Sequence, residues 1–290
     1  IYSITLDTEK EQLVDLTLRA EEKSPTYLAR SKKERVYTVT EVDGAGGCGA
    51  YTPAFELLNT VTEEGAPLCY VAVDEPRQLV YGANYHKGEV NVYKILADGS
   101  IEATDHIYHD EPVGPHENQD NPHVHYTDLT PDQRLAVCDL GTDRVYTYDV
   151  SAEGKLTEAA VYVAAAGTGP RHLVFHPNHQ YAYLVGELDS SLTVLRYNEA
   201  DGSFEEIQKV PTLPEDFTDF NSGAAVRVSK DGRFVYSSNR GHNSLVVFEV
   251  TEDGAGLNFI QRRSTEGDFP RDFDLDPTNK FLVCANQNSD

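Results

Sequence analysis

From Gly167 to Tyr197 the chain reads GTGPRHLVFHPNHQYAYLVGELDSSLTVLRY, and within it apolar and polar residues alternate in three short runs broken by Pro, Asn and Asp. Alternation with period two predicts strands, because successive side chains of a strand point to opposite faces. The pattern is not local. Stretches built like SPTYLAR, which alternate in the same way, turn at Pro or Asp and enter a second run, begin at Ser24, Ala66, Asn121, Gly169, Asn221 and Phe269, 42 to 55 residues apart. That spacing is the length of a four-stranded propeller blade with variable outer loops.

Complete units keep one order: a short strand, a turn, a second strand rich in β-branched and aromatic residues, a polar loop, and a third strand ending in an acidic Gly turn. GEVNVYKILADGS, DRVYTYDVSAEGK, SSLTVLRYNEADGS and NSLVVFEVTEDGAG are such third strands, and FEEIQKVPT is a fourth. The expected fold is all-β, a seven-bladed β-propeller of four-stranded antiparallel blades. Six starts supply six blades. The opening IYSITLDTEKEQLVDLTL reads as the outer half of another, and KFLVCANQNSD closes on an inner half. One propeller domain over residues 1–290 is therefore expected, its first and last blades incomplete. A β-sandwich is the competing architecture, but its strands lack this unit-by-unit recurrence.

In an up-and-down blade neighbouring strands are antiparallel, so the loop before the first strand and the loop after the second emerge on one face. His123, His125, Arg171, His172, Asn221 and Arg271 fall before or at first strands. Tyr85, Asp139, Glu187, Asn239, Arg240, His242 and Asn286 fall just after second strands. All are expected at one mouth of the central channel. His176, Pro177, Asp231 and Gly232 belong to turns on the opposite face and read as structural.

Charge sharpens the meaning of these residues. The chain carries 48 acidic and 24 basic residues, a formal net charge of -24, which repels nucleic acid and anionic lipid. Solubility accounts for the acidic excess itself. An anionic ligand would need a local cluster of cations, so the few Arg and His that gather become informative. The 290 residues, 39% of them hydrophobic, suffice for a full core, and no apolar run approaches the roughly 20 residues of a membrane-spanning helix. Cys48, Cys69, Cys138 and Cys284 form no CxxC pair and read as reduced thiols, so a cytoplasmic setting is expected. No methionine occurs and the chain opens on Ile1, from which trimmed ends or unwritten modified methionines are expected. GAGGCGAY at Gly44 lacks the following Lys and Ser or Thr of a nucleotide-binding loop and reads as a blade loop. PHENQDNPHVH sets three histidines among acids at no zinc spacing, so no metal or other cofactor is expected.

NPHVH, GPRHLVFHP, VGELD and SNRGHNSL, met in this order in successive units, resemble the motifs of the seven-bladed propeller lactonase family. That family includes propeller-type 6-phosphogluconolactonases and carboxy-muconate lactonizing enzymes, and the resemblance runs from Ile1 to Asp290. It implies a catalytic set of His123 or His125, Arg171, Glu187 and Arg240, the residues that strand geometry also brings to one mouth. Tyr85, His172, Asn239, His242, Arg271 and Asn286 are the substrate-binding candidates around them. The implied activity is hydrolysis of a small anionic sugar lactone, 6-phosphogluconolactone, to 6-phosphogluconate, a step of the pentose phosphate pathway. A lactonizing cycloisomerase and a non-enzymatic propeller that binds a ligand or protein are the alternatives.

Opening a lactone requires an activated water and a donor for the developing oxyanion. His123, His125 and Glu187 all remain open as the base. Neighbouring guanidinium charge would keep Glu187 ionised. Arg171 and Arg240 offer planar paired donors for a phosphate, a carboxylate or the oxyanion, and the division to be tested gives Arg171 the oxyanion and Arg240 a phosphate. The structural alternatives are an inter-blade ion pair for Arg171 and Glu187, and packing or turn roles for His172 and His176.

Overall fold

The computed structural model describes residues 1–289, whose regular structure is strand apart from one 3₁₀ turn at Glu252–Gly254. The strands follow in chain order as seven antiparallel sheets. β1 (Tyr2–Asp7) pairs with β2 (Gln12–Leu18). Five four-stranded sheets come next. The first holds β3 (Leu28–Arg30), β4 (Val36–Val42), β5 (Ala45–Tyr51) and β6 (Leu57–Glu64), and the second β7 (Tyr70–Asp74), β8 (Leu79–Asn84), β9 (Glu89–Ile95) and β10 (Ile101–Tyr108). The third holds β11 (Val124–Leu129), β12 (Leu135–Asp139), β13 (Arg144–Val150) and β14 (Leu156–Val163). The fourth holds β15 (Pro170–Phe175), β16 (Tyr181–Gly186), β17 (Ser191–Asn198) and β18 (Ser203–Pro211), and the fifth β19 (Ser222–Val228), β20 (Phe234–Arg240), β21 (Ser244–Thr251) and β22 (Gly256–Ser264). β23 (Pro270–Leu275) and β24 (Leu282–Asn286) form the last sheet.

Within each sheet a strand pairs only with its sequence neighbours, and the first strands β3, β7, β11, β15, β19 and β23 pack one against the next from sheet to sheet. The molecule is a seven-bladed β-propeller whose first strands surround the central channel. Burial explains the sequence pattern. Every residue of the second strands β8 and β12 is buried, since neighbouring blades cover both of their faces, and each reads as a nearly continuous apolar run. The outer strand β14 mixes half-buried with exposed positions, as its polar alternation anticipates.

Three first strands break register at the same place. The ladder skips between Val124 and Tyr126, between Pro170 and His172, and between Pro270 and Asp272. The skipped residues are His125, Arg171 and Arg271. A bulge leaves its extra residue outside the ladder and re-aims that side chain; all three line one end of the channel. Register and turn bonds make Thr26, Cys69 and Ala224 their counterparts in the other blades. One residue further along each strand, Tyr27, Tyr70, Tyr126 and His172 form an aromatic cluster: Tyr27 stacks on Tyr70 with ring centroids 4.0 Å apart, Tyr126 tilts against Tyr70 at 4.9 Å, and His172 meets Tyr70 edge-on at 5.2 Å. Tyr27 and His172 of this aromatic septum wall a cavity on each side of it.

Candidate active site

Two adjoining cavities, of about 230 and 330 Å³, open above the septum and share Thr26, Cys69, His125 and Arg271 as walls. The smaller adds Arg171, His172, Asn286 and Gln287, and the larger adds Tyr85, His86, Glu187 and Arg240. The floor is the bulged position of successive blades. The rim is the residue at or just beyond the end of four second strands, namely Tyr85, Glu187, Arg240 and Gln287.

Glu187 ties two blades together. Its Oε2 lies 2.8 Å from Arg171 Nε in its own blade and 3.0 Å from Arg240 Nη2 in the next. The Arg171 contact is ionic rather than an aligned hydrogen bond, and Arg171 Nη1 donates to the Ala224 carbonyl at 2.7 Å. Arg240 donates through Nη2 to Ser222 Oγ at 2.6 Å and to the Gly223 carbonyl at 2.8 Å, and its guanidinium sits 5.2 Å from the Phe269 ring centroid. Arg271 differs. Its one hydrogen bond among the described residues runs from Nη1 to Gln287 Oε1 at 3.1 Å, so most of its N–H groups have no partner among the described residues, while the side chain walls both cavities.

The structure therefore brings together His125, Arg171, Glu187, Arg240, Tyr85, His172, Arg271 and Asn286. Three other candidates lie outside the cavities. His123 stacks flat on Tyr85 at 4.1 Å, with Nδ1 held 2.7 Å from the Tyr85 carbonyl and Nε2 2.8 Å from Asp120. Both ring nitrogens are occupied, which removes His123 as a base for a cavity water. Asn239 is fully buried, accepting from Thr212 and donating to the Thr212 carbonyl. His242 bonds Ser244 Oγ at 2.7 Å and packs edge-on against Phe217. His176 sits in its turn, with Nε2 3.1 Å from the Gly232 carbonyl.

Asp139 supports the site from beneath. Its fully buried carboxylate accepts from the backbone N–H groups of His123, Gly141 and Thr142, and its other oxygen lies 2.6 Å from His109 Nδ1. These bonds hold the NPHVH segment against the end of β12. The approach is so close that a Cβ on Gly141 would fall 1.8 Å from the Asn121 carbonyl oxygen. Asp139→Ala strands several buried donors at once, and we expect it to cost roughly 3–5 kcal/mol. Urea unfolding measures this, and an unchanged midpoint would remove the supporting role.

Thr26, Cys69, His86 and Gln287 were not among the sequence candidates. The signal existed: each of Thr26, Cys69 and Gln287 occupies the repeat position of a chosen residue, and His86 directly follows Tyr85 in the same loop. A neutral or thiol side chain, read alone, carries no obvious chemistry.

Electrostatics assign states to these groups. Burial pushes the Glu187 carboxyl up, but the charges of Arg240 and Arg171 more than reverse this and hold it below the usual range. Burial, then the charges of Arg171, Arg271 and Arg240, holds His125 well below the ordinary histidine range, and burial with Arg171 does the same to His172. Both imidazoles are neutral at neutral pH. His125 Nδ1 is buried without a hydrogen-bond partner. Burial and the neighbouring Arg171 bring Arg240 down to about 10, still charged at neutral pH, and lower Arg271 in the same way. Burial raises the Cys69 thiol to about 12, too high for a thiolate nucleophile. Three guanidinium groups thus line the two cavities with two carboxylates, Glu187 and Asp272, and Asp272 is paired with Arg227 outside them, which leaves the pocket net positive in a strongly acidic chain.

Known proteins share this arrangement's framework. The family model described as "Lactonase, 7-bladed beta-propeller" matches residues 1–290. A protein of Lactobacillus plantarum with a crystal structure is 53% identical, with a TM-score of 0.96 over 99% of this chain and 84% of that one. A 6-phosphogluconolactonase of Bacillus subtilis is 44% identical over 294 residues, covering 99% of this chain and 84% of the relative. The periplasmic gluconolactonase of Pseudomonas aeruginosa is 28% identical, with a TM-score of 0.89 over 99% of this chain and 85% of that one. With the whole chain matched in sequence and in fold, the protein belongs to the seven-bladed β-propeller lactonase family.

Proposed function

We propose that the protein hydrolyses an anionic sugar lactone, 6-phosphogluconolactone, to 6-phosphogluconate. The observation that carries this reading is the excess of guanidinium charge around a cavity that also holds a neutral imidazole. The pocket is built for an anion, and its imidazole has a ring nitrogen free to take a proton. The Bacillus subtilis relative supports the phosphorylated substrate. Four free thiols support a reducing, cytoplasmic setting.

In this mechanism a water beside His125 attacks the lactone carbonyl while His125 takes one of its protons. Arg171 donates to the oxyanion that forms, through the N–H groups not engaged with Glu187 and Ala224. Collapse of the tetrahedral intermediate breaks the bond to the ring oxygen, and the same imidazolium returns the proton to that leaving oxygen. Glu187 holds the two arginines in place. Its Oε2 already serves both guanidinium groups, so it is the weaker choice of base. Cyclic esters of this type open readily, and positioning with oxyanion stabilisation is sufficient acceleration.

The test is an assay of the purified protein on freshly prepared 6-phosphogluconolactone beside the unphosphorylated lactone, across pH. We expect kcat/KM to favour the phosphorylated lactone by about 10-fold or more. It should stay flat from about pH 8 down to about pH 6, because the depressed His125 remains unprotonated there, and fall only below that. Half-loss near the ordinary histidine pKa would remove His125 as the base. Turnover of an open-chain muconate with no lactone hydrolysis would replace the hydrolase reading with the cycloisomerase.

A further inference from the structure

The chamber on the far side of the aromatic septum holds a carboxylate and a guanidinium whose charge is committed to partners outside the lining. It is a cavity of about 360 Å³ whose walls include Tyr70, Tyr126, Asp128, Phe175 and Arg227. Arg227 is already paired: Nη2 lies 2.8 Å from Asp272, Nε 3.7 Å from Asp274, and Nη1 donates to the Val226 carbonyl. Asp128 has no ion-pair partner among the described residues, and its one hydrogen bond comes from the adjacent Leu129 N–H at 2.7 Å. Burial lifts its carboxyl to about 6, against smaller opposing effects of that bond and of Arg227. Tyr126, 5% exposed, makes no side-chain hydrogen bond to the described residues. An unpaired carboxylate beside aromatic faces is the chemistry that receives an organic cation, which gains both an ion pair and cation–π attraction.

We propose that this second chamber binds a small organic ammonium ion, its charge held by Asp128 against the ring faces of Tyr70 and Tyr126. No residue assigned to lactone hydrolysis supplies the charge, so the site stands or falls independently of that reading. A neutral polyol is the competing occupant, since Asp128 and the Tyr126 hydroxyl would also accept and donate to hydroxyl groups. Among the described residues that line the chamber Asp128 is the one carboxylate, which favours a monocation over a divalent metal.

The experiment titrates n-butylammonium chloride into the purified protein at constant ionic strength set with KCl, followed by ligand-observed NMR, with 1-butanol as the uncharged counterpart. Saturable binding is expected for the ammonium ion, at least about 10-fold tighter than for butanol. Asp128→Asn should weaken it about 10-fold or more while lactone hydrolysis is retained, which shows the variant folded. Tyr126→Leu, which keeps the carboxylate and removes an aromatic wall, should weaken it by about 3-fold or more and supplies the answer if Asp128→Asn does not fold. Equal binding by wild type and variants, equal binding of butanol, or no saturable binding of the ammonium ion would each overturn the proposal.

Discussion

Arg171→Ala is expected to lower kcat by about 10²-fold or more, with a smaller change in KM, the scale of a lost oxyanion donor. Arg171 is 1% exposed, yet it lines the smaller cavity beside His125. Its Nε and Nη1 are held by Glu187 and the Ala224 carbonyl, which leaves the rest of the fork pre-aimed at the cavity. Such fixed donors stabilise developing charge without reorganising at the moment of reaction. The same contacts make the variant less stable: breaking a buried pair costs roughly 3–5 kcal/mol, here toward the lower end because Arg240 still accompanies Glu187. Kinetics therefore belong well below the variant's melting temperature. Arg171→Lys should recover little of the rate, since one ammonium cannot reach Glu187, Ala224 and an oxyanion together. A folded Arg171→Ala protein with wild-type kcat and only a lower Tm would make Arg171 a strut between blades.

Arg271→Ala is expected to act on binding. On the phosphorylated lactone, KM should rise by about 10- to 100-fold while kcat stays within about 3-fold, because the substitution removes an interaction made equally in the ground and transition states. On the unphosphorylated lactone the variant should behave like wild type. The sequence pointed to Arg240 for the phosphate, but in the fold Arg240 is bound to Ser222, Gly223 and Glu187. Among the described residues Arg271 has a single hydrogen-bond partner, Gln287, and it walls both cavities. Loss of discrimination between the two lactones in Arg240→Ala, with Arg271→Ala unaffected, would reverse the assignment.

Much of the architecture was legible before any coordinates. Strand period and blade repeat are properties of consecutive residues, so alternation in GPRHLVFHPNHQYAYLV was enough to predict β15, its turn and β16. The antiparallel rule then carried His125, Arg171, Glu187, Arg240 and Arg271 to one mouth, because it depends only on whether a residue precedes a first strand or follows a second. The same repeat offsets would have added Thr26, Cys69 and Gln287.

What the chain order could not express is which donor meets which acceptor. His123 and His125 are two residues apart in one motif, yet only the second sits at the break in the ladder and turns into the channel. Arg171 finds Ala224 across 53 positions, and Arg240 finds Glu187 in the neighbouring blade. Those pairings decide which guanidinium retains free N–H groups and which imidazole stays neutral. They arise from the closeness of blades around a common axis, and a pattern with a period of two residues holds no information about neighbours fifty residues away. Period and repeat therefore determined the blades and the face that bears the site, whereas the tertiary packing of first strands decided which side chains on that face remain available to a ligand.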